Sequence, residues 1–545
     1  PSARRRPLPA MRALLGSLLV LPAVWAARLK AEVPAPPPSL LAALTPAQLA
    51  ILATAGAVMA GLALWLAAIR AGSGKPAGPA PRVGVVGLGV MGSQLLLNFS
   101  ESLGETVAGL DTDAAKAAAV EAAARSEGLR AIGHTTAANF VRSMARPRTI
   151  LLLVPAGPAV DAVVSKLLPF LKKDDVVIDC GNEWFGETER RQAALAKKGI
   201  RFMGCGTSGG ERGARLGPCL MPSGDKKAWQ IARPLLEAIA AHVEEADGKG
   251  IKGGNGGTGG GAKKGRVGTP CVGYIGPGGS GHYVKMVHNG IEYGDMQIIA
   301  EAASFARTVG GLNPSQLSEL LHRYSDGPLG SFLLEITALL YMKEDDAPAK
   351  GGSTLVDAIL DQCGSKGTGK WTVQQAAELG VPCATMAAAL EARYLSALKS
   401  QRTTAAHIHS AAAATALHEG IKVAQPLAGW AEALEDALLA SKLCSYAQGF
   451  ALLAAASKAH DWNLDFEMLS TIWRGGCIIR AKVLQVRASF PTPQKETRHP
   501  LSPPFASPSG AGVASPEPRC YRWGARLSPT RKRTPPLHSL ILARM

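Results

Sequence analysis

Between residues 82 and 204 the apolar positions come in short runs closed by glycine, proline or aspartate. Arg82-Val-Gly-Val-Val86, Thr106-Val-Ala-Gly-Leu110, Thr149-Ile-Leu-Leu-Leu-Val154, Asp175-Val-Val-Ile-Asp179 and Ile200-Arg-Phe-Met-Gly204 are five such runs. Runs this short and this continuous read as strands buried on both faces, as in parallel sheets. Ser93 to Glu101 follows the first run and reads as a helix. Farther on, Gly281 to Asp295 switches to a helical pattern, with Val284, Met286, Val287 and Ile291 as its apolar positions. The pattern predicts an α/β Rossmann-like N-terminal domain followed by helices. Two apolar stretches precede it. Residues 13–27 are short, broken by Pro22 and preceded by Arg4, Arg5, Arg6 and Arg12, as in a cleavable targeting sequence. Residues 47–69 are uncharged and long enough to span a bilayer, so membrane association through them is one expectation. Residues 71–81 read as a linker.

Charge changes this picture at the ends. The chain of 545 residues has a formal charge of +17. Residues 1–80 carry +7 and residues 485–545 carry +8, which leaves +2 for the long middle. A near-neutral body with basic ends excludes a nucleic-acid reader. The first eighty residues are rich in Ala, Arg and Pro and poor in acids, as organellar transit peptides are. The expectation is an organelle, with a membrane-anchored or cytoplasmic protein as alternatives. The sequence opens on Pro1, so the initiating residue is expected elsewhere. The nine cysteines are scattered without a CxxC pair and read as reduced thiols; Cys180, Cys205 and Cys219 are expected to be small buried residues. No Cys/His cluster at ligand spacing appears, so no metal is expected.

Two features carry chemistry. The first apolar run enters Gly87-Leu-Gly89-Val-Met91-Gly92, a dinucleotide fingerprint with a strand before it and a helix after it. Gly87 allows the tight turn, Gly89 the approach of a pyrophosphate, and Gly92 close helix–strand packing. Met91 inside the fingerprint and Val154 at the end of a later run are assigned to the same cofactor. Asp111 ends the second run, where a carboxylate can accept from the ribose 2′-hydroxyl of NAD; an ordinary turn aspartate reads the same way. Asn182, after the fourth run, is placed to meet cofactor or substrate. The loop Gly206-Thr-Ser208-Gly209-Gly210 is expected to let backbone approach a ligand. The second feature is the helix at 281–295. Lys285, His288, Asn289 and Glu292 fall on one face, and an amine and a carboxylate two turns apart can perform two proton transfers. A solvated face of ordinary charged residues has the same spacing.

Seven segments taken together resemble the 6-phosphogluconate dehydrogenase family. They are Gly87–Gly92, Ser208–Pro218, Lys285–Gln297, Ser331–Thr337, Lys366–Thr372, Ser441–Gly449 and Ile472–Arg480, in order over residues 82–484. The resemblance implies a Rossmann-like domain (81–270, with a Gly/Lys-rich insertion at 248–266) and a large all-α C-terminal domain (271–484, truncated). It implies oxidative decarboxylation of 6-phosphogluconate to ribulose 5-phosphate in the pentose phosphate shunt and gluconate utilization. NADP is the family's cofactor, a homodimer its assembly, and the plastid the organelle for a chain with a transit peptide. By position, Lys285 resembles the general base and Glu292 the acid. Asn182, Ser208, Gly209, Gly210, His288 and Asn289 match substrate-contacting positions, and Tyr293, Lys366 and Arg393 match positions near the substrate phosphate.

The chain also departs from the family. Asp111-Thr112-Asp113 replaces the Asn-Arg-Thr that reads NADP, so NAD is favoured there. Tyr324-Ser325 replaces a Trp-Asn pair. Beyond Leu484 the chain turns Pro/Ser/Arg-rich, where the family continues with helices and a partner-crossing tail whose Arg and His bind substrate phosphate. Residues 485–545 are expected to be a disordered basic tail and the chain a poor or inactive enzyme. The rival readings are a related β-hydroxyacid dehydrogenase and a non-catalytic, misassembled membrane-tethered protein.

Overall fold

A computed structural model describes residues 79–243, 268–346, 354–408 and 428–485. The apolar runs form strands β1 (Val83–Val86), β2 (Val107–Leu110), β4 (Thr149–Leu152), β5 (Val176–Asp179) and β6 (Arg201–Ser208). They are joined by β3 (Ala131–His134) and β7 (Cys219–Gly224) in one sheet of order β3-β2-β1-β4-β5-β6-β7. All neighbours are parallel except β6 and β7. The order reverses between β1 and β4, and a crevice at that switch point is where such sheets take ligands. Helices α1 (Val90–Leu103), α2 (Ala114–Ser126), α3 (Ala137–Ser143), α4 (Pro158–Leu167), α5 (Phe185–Ala196), α6 (Gly210–Leu216) and α7 (Lys226–Ile239) connect the strands. A short pair, β8 (His242–Val243) with β9 (Thr269–Pro270), follows. Val85, Leu95, Leu96, Phe99, Leu151 and Ile178 pack on one side of the sheet, and Phe140, Ile150, Leu152, Val177 and Phe202 on the other. Burial on both faces is why these strands read as continuous apolar runs rather than alternating ones.

The second half is helical: α8 (Ser280–Thr308), α9 (Pro314–Asp326), α10 (Phe332–Met342), α11 (Leu355–Ala358), α12 (Thr368–Glu378), α13 (Ala384–Ala397), α14 (Trp430–Ala459) and α15 (Phe466–Ile472). The 29 residues of α8 run through its centre. From Ser280 to Ile291 every α8 residue is buried, because sheet, α12 and α14 surround it. A solvated helix face is therefore excluded for Lys285, His288 and Asn289. Among the described residues α14 alone is long and apolar enough to cross a membrane. It instead buries Leu438, Tyr446, Phe450 and Leu453, together with Lys442, inside the protein. The Lys442 amine bonds Asp295 on α8 at 2.6 Å and the Ser331 hydroxyl at 3.3 Å. A buried amine of this kind persists because it is paired.

Three boundaries differ from the sequence reading. Helix α1 starts at Val90, not Ser93, because Gly89 caps it and accepts from the Ser93 amide at 3.0 Å. Strand β4 ends at Leu152, short of Val154. Strand β6 extends through Ser208, since antiparallel pairing with β7 carries Gly206, Thr207 and Ser208 into the sheet. The expected ligand loop at 206–210 is thus half strand. Cys180, Cys205 and Cys219 are buried, as read from sequence. The segments at 13–27 and 47–69, the linker up to residue 78, the insertion at 248–266 and the tail from residue 486 lie outside the described residues.

Candidate active site

The cofactor positions meet at the sheet's switch point. Gly87 leaves β1 with φ +89°, and a Cβ there would lie 2.5 Å from the Leu153 carbonyl oxygen and 3.1 Å from the Val154 side chain. Gly92 lies one turn into α1, where a Cβ would fall 1.8 Å from the Gly87 carbonyl oxygen, so only glycine closes this turn. Nothing lies within 4 Å of a Cβ on Gly89, so that position opens on free space at the helix N-terminus. A glycine-lined opening over a helix N-terminus fits a pyrophosphate. Met91 is half-buried beside it.

Asp111 has a use beyond the expected one. Its Oδ2 accepts the Leu88 amide at 2.8 Å, and its Oδ1 accepts the Asp113 amide at 2.9 Å. The carboxylate thus braces the fingerprint loop and retains lone pairs for a ribose diol. Asp113 serves as the N-cap of α2: its Oδ1 accepts from the Ala115 amide at 2.9 Å, and Lys116 stands 4.0 Å from its Oδ2. Its charge is partly answered locally.

The candidate catalytic face is built where α8 crosses β6. A Cβ on Gly206 would lie 2.4 Å from the Lys285 Cβ, so this glycine makes room for the lysine stem rather than for a ligand. The Lys285 amine donates to Asn289 Oδ1 at 2.8 Å and lies 3.4 Å from His288 Nδ1. His288 Nε2 faces the Ser208 hydroxyl at 3.3 Å, and the ring of Trp473 stands edge-on to it with centroids 5.6 Å apart. Asn289 donates to the Thr368 hydroxyl at 3.2 Å, which ties α8 to the first turn of α12. That turn packs on Tyr293, where a Cβ on Gly369 would meet the ring at 2.4 Å. The Arg393 guanidinium lies over the Tyr293 ring, 3.7 Å from its centroid, and donates to the Gly364 carbonyl at 3.1 Å. Lys366, on the exposed loop before Thr368, is close enough to act on Glu292. Gly209 (φ +137°) and Gly210 (φ +60°) turn the chain from β6 into α6, against the Gly476 carbonyl.

Burial sets the protonation of this face. It pushes the Lys285 amine below its usual range, against the opposing pull of Glu292. It pushes the Glu292 carboxyl upward, against Lys285, Arg393 and Lys366. It holds His288 well below the usual imidazole value, helped by the neighbouring lysine and offset in part by Asn289. Burial thus shifts the amine toward its neutral form and the carboxyl toward its protonated form, the directions a base and an acid need.

Asn182 is positioned separately, in the half-buried loop after β5. Its neighbour Glu183 accepts the Gly157 amide at 2.7 Å and the Trp184 amide at 2.8 Å, and Arg191 binds the same carboxylate at 2.6 Å. Sequence reasoning missed Thr368, Trp473, Glu183 and Arg191. Thr368 and Trp473 lay inside recognised segments, but only contacts across long sequence distances give them a use. Arg191 is a buried arginine on a charged helix, a pattern that spacing does not separate from a surface residue.

The comparisons agree with this geometry. The profile described as "NAD binding domain of 6-phosphogluconate dehydrogenase" matches residues 82–248. That described as "6-phosphogluconate dehydrogenase, C-terminal domain" matches residues 281–509, which carries the match past residue 484, where the resemblance was expected to stop. The chain is 47% identical over 408 residues to the chloroplastic 6-phosphogluconate dehydrogenase, decarboxylating 2, of Oryza sativa subsp. japonica, covering 74% of this chain and 75% of the relative. It is 44% identical over 404 residues to the NADP(+)-dependent, decarboxylating enzyme of Bacillus subtilis, covering 74% and 79%. Among solved structures it is similar to Plasmodium falciparum 6-phosphogluconate dehydrogenase, described in apo form and in complexes with its cofactor NADP+ and its substrate 6-phosphogluconate. The identity is 39%, the coverage 74% of this chain and 79% of the other, and the TM-score 0.64.

Proposed function

The chain belongs to the 6-phosphogluconate dehydrogenase family, and from that premise we propose that Lys285 and Glu292 carry out its reaction as base and acid. The reaction is the oxidative decarboxylation of 6-phospho-D-gluconate to D-ribulose 5-phosphate and CO2 with reduction of NADP. The observation that carries the assignment is the buried face on which the amine is pushed toward neutrality and the carboxyl toward protonation. Neutral Lys285 takes the proton of the substrate 3-hydroxyl. A nicotinamide cofactor held at the Gly87–Gly92 turn would supply the acceptor for the hydride that leaves C3. Protonated Lys285 then stabilises the enolate that forms as the C1–C2 bond breaks and CO2 leaves. Glu292 gives its proton to the carbon left behind. Asn289 aims the lysine, and Ser208 and His288 flank it.

Asn182, Ser208, Gly209, Gly210, His288 and Asn289 are proposed as substrate contacts, and Tyr293, Lys366 and Arg393 as groups near its phosphate. Gly87, Gly89, Met91, Gly92, Asp111, Val154 and Asn182 are proposed for the cofactor. Asp111 favours NAD over NADP relative to the family habit. Plastid residence is proposed on the chloroplastic relatives of rice and spinach, and a homodimer and a pentose phosphate role on family membership. The test is a rate assay on 6-phosphogluconate with each cofactor, following reduced cofactor and CO2 together. One CO2 per reduced cofactor is expected; reduction without CO2 release would point to a simple hydroxyacid dehydrogenase.

A further inference from the structure

The loop holding Val154 and the loop holding Asn182 are locked by one buried ion pair outside the catalytic face. Arg191, on α5, has a side chain 2% exposed. It donates to Glu183 Oε2 at 2.6 Å, to the Gly157 carbonyl at 2.9 Å, and to both oxygens of Asp161 at 2.8 and 3.1 Å. Glu183 Oε2 also accepts the Gly157 amide at 2.7 Å. The Gly157 residue is thus gripped from both sides, its N–H by the carboxylate and its C=O by the guanidinium. Gly157 has φ +85° and caps α4, three residues after Val154. Glu183 directly follows Asn182 and is itself buried. These groups lie between the ends of β4 and β5, on the side of the sheet where its ligands are expected. A buried charge pair is costly to form and adds little net stability over an apolar substitute, so its retention here calls for a further use.

We infer that Arg191 and Glu183 are positioning residues that hold the cofactor loop and the substrate loop as one unit, so that displacing either loop displaces both. The inference rests on the functional reading above, which supplies the two ligands. A bidentate guanidinium is rigid in a way a lysine is not, and a carboxylate accepts from arginine and amide together in a way a glutamine does only at reduced strength. Loosening the clamp should move Val154 and Asn182 while leaving the Lys285–Glu292 chemistry in place.

The test uses the full chain and direct binding of NADPH and of 6-phosphogluconate, each titrated alone and in the presence of the other. Arg191→Lys and Glu183→Gln are compared with wild type and with Leu321→Val, a core change between α9 and α10 that supplies a loss of Tm without touching either loop. Both clamp variants should weaken both ligands by about tenfold, the loss expected when a charge-assisted hydrogen bond is given up. In turnover both KM values should rise more than kcat falls, and Leu321→Val should leave both dissociation constants unchanged. If one variant fails to fold, the other carries the comparison. Wild type that binds both ligands, with a folded clamp variant in which neither constant or only one moves, would overturn the inference alone. Wild type that binds neither ligand would overturn the functional reading, and the inference with it.

Discussion

The two halves of the molecule build their sites from different materials. In the nucleotide-binding half the working groups are mostly main chain: the turn at Gly87, the open space at Gly89, and amides held by Asp111. In the helical half they are side chains that converge from distant elements. Lys285 on α8, Thr368 on α12, Arg393 on α13 and Trp473 after α15 meet around one helix face. A backbone site needs small residues at fixed local spacing and tolerates nothing larger. A side-chain site needs burial, and burial adjusts the charge of whatever it encloses.

The sharpest break between the halves should come from Lys285→Met. General-base loss costs about 10²–10⁴ in kcat. The folded-state value of this amine is depressed, so between its folded and unfolded values the unfolded chain holds more protons than the folded one. That penalty on folding shrinks as pH rises toward the unfolded value of about 10.4. Methionine removes it, so Tm near neutral pH should stay level or rise while turnover collapses. Near-wild-type turnover in this variant would remove Lys285 from the mechanism.

Lys442→Met is the complementary change in the same half. It strands the buried Asp295 carboxylate and should cost about 3–5 kcal/mol of stability, read as a shift in urea midpoint. Should the midpoint hold, water or another cation must reach Asp295. A smaller effect separates two glycines of the fingerprint. Gly92→Ala places a methyl against the Gly87 carbonyl and should cost about 1–3 kcal/mol, whereas Gly89→Ala meets nothing and should leave Tm alone while raising the cofactor KM. Equal losses of Tm in both would mean that Gly89 is structural. Smaller again is the effect of Asp111→Ser on cofactor choice. Losing a charge-assisted bond should lower the NAD-to-NADP ratio of kcat/KM by about tenfold. An unchanged ratio would assign selectivity to another group.

The pH profile sharpens the comparison rather than breaking it. Activity should need neutral Lys285 and protonated Glu292, so kcat/KM should fall on the acid side as the amine gains a proton and on the alkaline side as the carboxyl loses one. Glu292→Gln should flatten the alkaline limb and leave the acid limb in place. A profile with no acid limb would mean that turnover does not wait on the amine losing a proton within that range.

The same contrast explains what the sequence disclosed. Strands β1, β2, β4, β5 and β6, the fingerprint and the α8 face were legible because each is written in neighbouring residues. Strand β6 was cut short because its last residues take their partner from β7, which no local pattern announces. Gly206 was read as serving a ligand; its neighbour is a lysine stem from a helix about eighty residues away. Thr368, Trp473, Glu183 and Arg191 were overlooked for the same reason, since a hydrogen bond across the chain leaves no periodic trace.

The Trp473–Gly476 segment has a consequence for how the protein is made. Trp473 donates to the Met221 sulfur across 252 residues, and the Cys219 amide donates to the Gly476 carbonyl at 3.0 Å. Strand β7 therefore lacks part of its native surroundings until the last described helix has left the ribosome. At roughly 5–20 residues per second that wait is on the order of 10–50 s. Residues 271–276 can take most of the outer edge of β7 much earlier, so it is the Cys219 end of the strand that waits longest for its partner.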